Sequence, residues 1–307
     1  MRGAKLPVAQ GLWPAVATST GPGAADLTGG FRAPLPGHGR GPLRPGQPWL
    51  DGAVQAQRFG QPIARVVDGR GQRAPGPGRS DGGDERPTGG RGADGAPRFD
   101  QSVPDGGYLW WYIDALSDDH RHAITLIAFV GSVFSPYYRW ARRGGRAAEA
   151  QNHCALNVCL YGDGARRWTM TERGRDSVWR ERSQFVIGPS RLRWNGQSLV
   201  IEIDERTAPF GQRVRGEVTV HPRSLTRFSA PLDAQGRHRW GPIAPCSRVE
   251  VALDSPGLNW QGSAYLDSNE GDEPVDAPFR DWDWARATLA DGRTAVIYDV
   301  QPKEGGR

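Results

Sequence analysis

Long apolar runs are missing from this 307-residue chain. No stretch approaches the roughly 18 consecutive apolar residues that a membrane-spanning helix requires. The first 17 residues are mildly apolar, yet Pro7, Gln10 and Pro14 interrupt them, so no secretory signal is read there. Cysteine is scarce as well. Cys154, Cys159 and Cys246 form neither a redox motif nor a zinc-type pattern, and reduced thiols in an intracellular protein are the expectation. There is no glycine-rich phosphate loop and no nucleophile elbow. Nucleotide and metal chemistry drop out on these grounds, and the chain is expected to work without a cofactor.

Glycine and proline are abundant but unevenly spread. Residues 1–97 hold 22 of the 42 Gly and 13 of the 25 Pro, a density that reads as a disordered low-complexity tail. Methionine stands only at positions 1 and 170, and the sequence changes character near Arg98-Phe99-Asp100. Much of residues 1–97 is therefore expected to be a dispensable tail or an extension upstream of a true start nearer residue 98. The tail carries 12 Lys+Arg against 7 Asp+Glu, whereas residues 98–307 carry 27 of each. The basic balance thus belongs to the tail. A nucleic-acid surface needs basic residues clustered on a folded face, so no nucleic-acid partner is expected.

From Gly107 onward the pattern is that of strands. Residues 108–116 and 122–130 are apolar almost throughout, with the polar turn Ser117-Asp118-Asp119-His120-Arg121 between them. Such continuity points to burial on both faces or to the lining of an apolar pocket. Further strands are read at 154–161, 167–172, 179–187, 190–194, 198–205, 214–221, 247–253, 259–266, 285–289 and 294–300. Asn195-Gly196 is a strong hairpin signal. A short helix over 142–151 is the one helical expectation. Many short strands separated by glycine-containing turns make the fold all-β, a sandwich or barrel, and barrels with room for one elongated apolar ligand are lipocalin-like.

The candidate chemistry lies between His238 and Trp284. Tyr265 and Asp267 are two apart, as are His238 and Trp240, so on strands each pair shares a face. The bland readings stand beside this one. Strand tryptophans such as Trp240 and Trp260 are most often core filler, and His238 fits a solvated strand start. Asp267-Ser268-Asn269-Glu270-Gly271 reads first as a turn. It also hints at a calcium loop, but the glycine falls one position early and no closing glutamate follows.

Several runs carry a family resemblance. Asp105-Gly106-Gly107-Tyr108-Leu109-Trp110-Trp111-Tyr112-Ile113-Asp114-Ala115-Leu116-Ser117-Asp118-Asp119, Phe129-Val130-Gly131-Ser132-Val133-Phe134-Ser135-Pro136-Tyr137-Tyr138 and Asn152-His153-Cys154-Ala155-Leu156-Asn157-Val158 resemble the acyclic carotenoid 1,2-hydratases, also called hydroxyneurosporene synthases. The run from Tyr265 through Asn269-Glu270-Gly271 to Trp282-Asp283-Trp284 does the same. The resemblance is read over residues 98–300 and over none of residues 1–97. It implies a cofactor-independent hydro-lyase that adds water across the terminal C1=C2 bond of acyclic carotenes such as neurosporene and lycopene, in photosynthetic bacteria. It also implies two lipocalin-like barrels, over 98–222 and 223–307, the second lacking its last strands. The positions tied to activity by the resemblance are His238, Trp240, Tyr265 and Asp267.

The chemistry expected of these residues is proton delivery to C2, a tertiary cation at C1, and attack by water. Asp267 is the expected general acid, since burial favours the neutral carboxyl. The rings of Trp240 and Tyr265 would steady the cation, and His238 would deprotonate the water. The acid and base labels are interchangeable at this stage, with Asp281 and Asp283 as fallback acids. A carotene dissolved in a membrane implies peripheral contact on the cytoplasmic side; the oligomeric state is not legible. Two rival readings remain: a carotenoid or isoprenoid carrier without turnover, and a barrel enzyme with another cation-type reaction on an isoprenoid.

Overall fold

A computed structural model describes residues 27–34, 63–67, 89–143, 148–162, 165–208, 210–289 and 292–303. The elements are β1 (Leu27–Pro34), β2 (Ile63–Val67), β3 (Tyr108–Ser117), β4 (His122–Val130), α1 (Pro136–Ala141), β5 (Cys154–Gly162), β6 (Arg167–Arg173), β7 (Val178–Glu181), β8 (Gln184–Ile187) and β9 (Ser190–Trp194). They continue with β10 (Leu199–Arg206), β11 (Arg213–Pro222), β12 (Ala230–Pro231), β13 (His238–Ser255), β14 (Leu258–Gly271), β15 (Phe279–Thr288) and β16 (Thr294–Pro302). No helix among the described residues is long and apolar enough to cross a membrane.

The larger sheet runs β6-β5-β4-β3-β14-β13-β11-β10 and then continues through β9, β8 and β7. A bridge between Thr169 on β6 and Thr207 just past β10 brings the ends of the first eight strands together. The all-β, lipocalin-like expectation is met by this nearly closed barrel. Its interior is filled by Leu109, Trp111 and Ile113 of β3, Ile124 and Leu126 of β4, Leu156 and Val158 of β5, and Ile201 and Val218 from the far side. A smaller sheet, β1-β15-β16-β2, covers part of the outer face.

This layering explains the apolar continuity of β3 and β4. Successive strand residues point to opposite faces, and on β3 both faces are covered. Leu109, Trp111 and Ile113 enter the barrel. Tyr108, Trp110 and Tyr112 meet an aromatic layer completed by Trp282, Trp284 and Tyr298 of the smaller sheet.

Several expectations are corrected. The run 267–271 is the end of β14 and not a turn. Asp267 pairs with Tyr112 on one side and Pro242 on the other, and a ladder on both edges overrides the turn preference of Asp and Asn. Strand 285–289 begins earlier, at Phe279, because Trp282 and Trp284 supply its buried face. The stretch 179–187 is split into β7 and β8. The helix lies at Pro136–Ala141, ahead of the expected 142–151. There Ser135 caps Tyr138 N at 2.9 Å and Pro136 occupies the first turn.

β13 and β14 follow residue 222, and β13 pairs with β11 and β14 with β3 in the sheet of the nearly closed barrel. Within the expected tail, residues 89–97 pack on that barrel. Arg91, 2 % exposed, donates to the carbonyls of Thr226 (2.9 Å) and Phe228 (2.8 Å). β1 and β2 flank β15 and β16, and the rest of residues 1–88 lies outside the described residues.

Candidate active site

The site sits between the two sheets, on the outer face of the barrel. Tyr265, Asp267 and Asn269 alternate onto this face of β14. The register places Trp240 of β13 and Trp110 of β3 opposite Asn269, and Tyr112 opposite Asp267. Trp282, Trp284 and Tyr298 close the space from β15 and β16. Trp284 meets Tyr112 at 5.1 Å and Tyr265 at 5.3 Å between ring centroids. Such tilted aromatic pairs contribute about 0.5–1.5 kcal/mol each beyond the area they bury.

Asp267 is the titratable centre of this apolar layer, 1 % exposed. Its Oδ2 accepts from Trp240 Nε1 at 2.8 Å and from the Tyr265 hydroxyl at 2.9 Å. Among the described residues its Oδ1 has only a longer contact, from Asn269 Nδ2 at 3.3 Å. The Tyr298 hydroxyl donates to Asn269 Oδ1 at 3.1 Å, which turns the amide N–H toward Asp267. Burial pushes the Asp267 carboxyl up to about 7, although the Trp240 and Tyr265 donors pull the other way. Desolvation wins, and the group holds its proton to near neutral pH.

A cavity opens in front of this carboxyl. It is lined by Trp110, Tyr112, Phe129, Phe134, Trp282 and Trp284 around Asp267, Asn269 and Tyr298. The centre of a water-sized sphere has ≈ 30 Å³ there; about 10–15 Å³ suffices for one water. The Trp284 indole N–H is buried and has no hydrogen-bond partner among the described residues.

Of the four residues expected at the site, Trp240, Tyr265 and Asp267 are joined directly. His238 is on the same face but four residues along, opposite Gly271, and of the four only Asp267 lines the cavity itself. The His238 Nδ1 is 2.8 Å from the Tyr108 hydroxyl, and its Nε2 faces Glu273 (3.4 Å) and Asp233 (3.8 Å). Carboxylates only accept, so Nε2 carries the proton and Nδ1 accepts from Tyr108. Burial holds the His238 pKa below its ordinary value. Tyr108 in turn stacks on Trp110 at 4.8 Å, which links His238 to the cavity wall at one remove. The fallback acids point elsewhere: Asp281 and Asp283 alternate with the buried Trp282 and Trp284, and Asp283 is exposed.

The sequence reading missed Asn269 and Tyr298 as site residues, as well as the pair Asp114–Arg286. Arg286 Nε donates to Asp114 Oδ1 at 2.7 Å, with the Arg286 side chain 1 % exposed. Its guanidinium lies 5.8 Å from the Tyr265 ring centre.

Residues 126–307 match the family profile of the carotenoid hydratase CrtC. The chain belongs to this family. It is 59 % identical over 266 residues to the acyclic carotenoid 1,2-hydratase of Rubrivivax gelatinosus, and 50 % identical over 265 residues to that of Thiocapsa roseopersicina. Each match covers 86 % of this chain and 65 % of the relative, so the chain spans about two thirds of the length of these relatives. Residues 98–307 cannot alone supply a match that long. The similarity to the carotenoid hydratases therefore reaches into residues 1–97, where the sequence reading placed none.

Proposed function

We propose that the chain is an acyclic carotenoid 1,2-hydratase that adds water across the terminal C1=C2 bond of carotenes such as neurosporene and lycopene. The observation that carries this is a carboxyl with a pKa raised to about 7, buried on the wall of an aromatic cavity, in a chain of the carotenoid hydratase family.

In this mechanism Asp267 delivers its proton to C2. Oδ2 is occupied by the Trp240 and Tyr265 donors, so the mobile proton resides on Oδ1. The π electrons of C1=C2 form the new C2–H bond and leave a tertiary cation at C1. Trp110, Tyr112, Trp282 and Trp284 line the cavity, and a ring face turned to a desolvated cation steadies it by about 2 kcal/mol. Water attacks C1, and the Asp267 carboxylate takes back a proton from the oxonium, which restores the acid and balances the cycle. The unpartnered Trp284 N–H is the donor available to the water oxygen. Trp240 and Tyr265 act as donors that orient the carboxyl. His238 acts as a positioning residue for Tyr108 and Trp110.

The terminus of a carotene needs more room than one water, so its entry moves the aromatic walls apart. A carotene resides in lipid, and we place the enzyme in peripheral contact with that membrane. Three buried free thiols, Cys154, Cys159 and Cys246, favour the reducing, cytoplasmic side. The test is a product assay with lycopene in detergent micelles. Appearance of a hydroxylated carotene supports the reading; lycopene retained unchanged by the protein would make it a carrier.

A further inference from the structure

This inference rests on the reading of the chain as an enzyme that meets its substrate at a membrane, and concerns which surface makes the contact. Between β4 and β5 the chain passes Phe134, which lines the cavity and meets Phe129 edge-on at 5.6 Å. α1 follows within two residues, so the helix begins at the cavity wall. Tyr138 anchors it: the side chain is fully buried, its hydroxyl donates to Gly107 O at 2.7 Å, and its ring lies 4.6 Å from that of His153.

With Tyr138 turned inward, Tyr137 and Trp140 lie three apart on the outward side. They are 69 % and 67 % exposed. The other exposed large hydrophobics among the described residues, Trp179, Phe210 and Ile297, belong to three separate segments. Residues 131–143 contain Arg139, Arg142 and Arg143 and no Asp or Glu. Arg142 lies over the Tyr138 ring at 4.2 Å and 4.0 Å from Asp276, whereas Arg139 and Arg143 are exposed. Two outward aromatic rings beside arginines thus leave about two thirds of their surface open. At a bilayer interface the same rings sit favourably at headgroup level, and arginines are drawn to anionic lipid.

We propose that α1 docks the enzyme on an anionic lipid surface, with Tyr137 and Trp140 entering the interface and Arg139 and Arg143 facing its phosphates. This contact sets the Phe134 wall of the cavity against the membrane that holds the carotene.

The test is co-sedimentation of the whole chain with vesicles of phosphatidylcholine, with and without phosphatidylglycerol. Circular dichroism confirms that each variant is folded. The wild type is expected to prefer the anionic vesicles. Tyr137→Ala with Trp140→Ala should lower the partition by about tenfold, as partial burial of two rings implies. Arg139→Gln with Arg143→Gln should lower it by at least about fivefold and flatten its salt dependence. Phe210→Ala, at an exposed aromatic away from α1, should leave it unchanged. Failure of the wild type to bind any vesicle overturns the proposal, as does an equal loss in the Phe210 variant or none in the α1 variants. Lycopene hydration in micelles is measured in parallel. Its absence in the wild type would remove the hydratase reading, while the vesicle partition alone decides the docking surface.

Discussion

The Tyr265 hydroxyl donates to the Asp267 carboxyl two residues further along the same strand, at 2.9 Å. That bond favours the ionised acid, against the burial that favours the neutral one. A rate that needs the proton on Asp267 falls as pH rises through about 7. Tyr265→Phe removes a donor from the carboxylate, so the alkaline midpoint should move upward, by about one pH unit for a charged hydrogen bond of this kind. A pH profile of kcat/KM for the two enzymes checks this. A downward shift would contradict the assigned direction.

The same group affects stability with a definite sign. Between the ordinary carboxyl value of 3.8 and about 7, native Asp267 keeps a proton that the unfolded chain has released. Its contribution therefore weakens as pH rises through that window. Asp267→Asn should flatten this part of the stability curve, measured by denaturant unfolding at pH 5 and pH 8. An unchanged slope would place the titration elsewhere.

His238 provides a second discrimination. A histidine base must be neutral, so a His238 base would produce an acid limb that disappears on substitution. As a positioning residue behind Tyr108 and Trp110, it should do otherwise: His238→Asn lowers turnover and leaves the alkaline midpoint near 7. Loss of an acid limb in that variant would restore His238 as the base.

Much of the fold was legible because β3, β4 and β5 carry apolar runs too long for anything but covered strands. The pairing of Tyr265 with Asp267 was legible from spacing alone. Asn269 and Tyr298 were not, because their relation crosses from one sheet to the other and no local spacing encodes it. Trp240 and Tyr265 were expected to offer ring faces; that their N–H and O–H also donate to Asp267 depends on how the side chains are turned, which spacing does not encode. The reading of 267–271 as a turn followed residue preference, which two flanking strands override. Arg91 shows the limit of composition: a single buried cation in a Gly/Pro-rich segment leaves no trace in counts of Gly and Pro.

The Asp114–Arg286 pair ties β15 to β3 beside Tyr265. Breaking a buried pair from one side leaves a desolvated charge, at a cost of about 3–5 kcal/mol. Arg286→Met should therefore lower the thermal midpoint strongly, and Asp114→Asn in the same chain should recover part of the loss. Additive losses in the double variant would show that the two side chains act independently.

Residues 89–97 offer a check on the domain boundary. A sequence-based boundary predicts that removing residues 1–97 leaves the melting transition in place. Arg91 donates to buried carbonyls of the segment after β11, and orphaning such acceptors costs about 1–3 kcal/mol. Arg91→Ala should lower the midpoint by several degrees, read by calorimetry. An unchanged midpoint would return these residues to the tail.

The central claim is that Asp267 supplies the proton. Asp267→Asn keeps the size of the side chain and can still accept from Trp240 and Tyr265, but it has no acidic proton to give. Turnover of lycopene, measured by chromatography of the hydroxylated product, should fall by at least about a hundredfold, the scale of general acid catalysis, with carotene binding retained because the aromatic walls are untouched. Full-rate hydration by the Asp267→Asn protein would contradict the account.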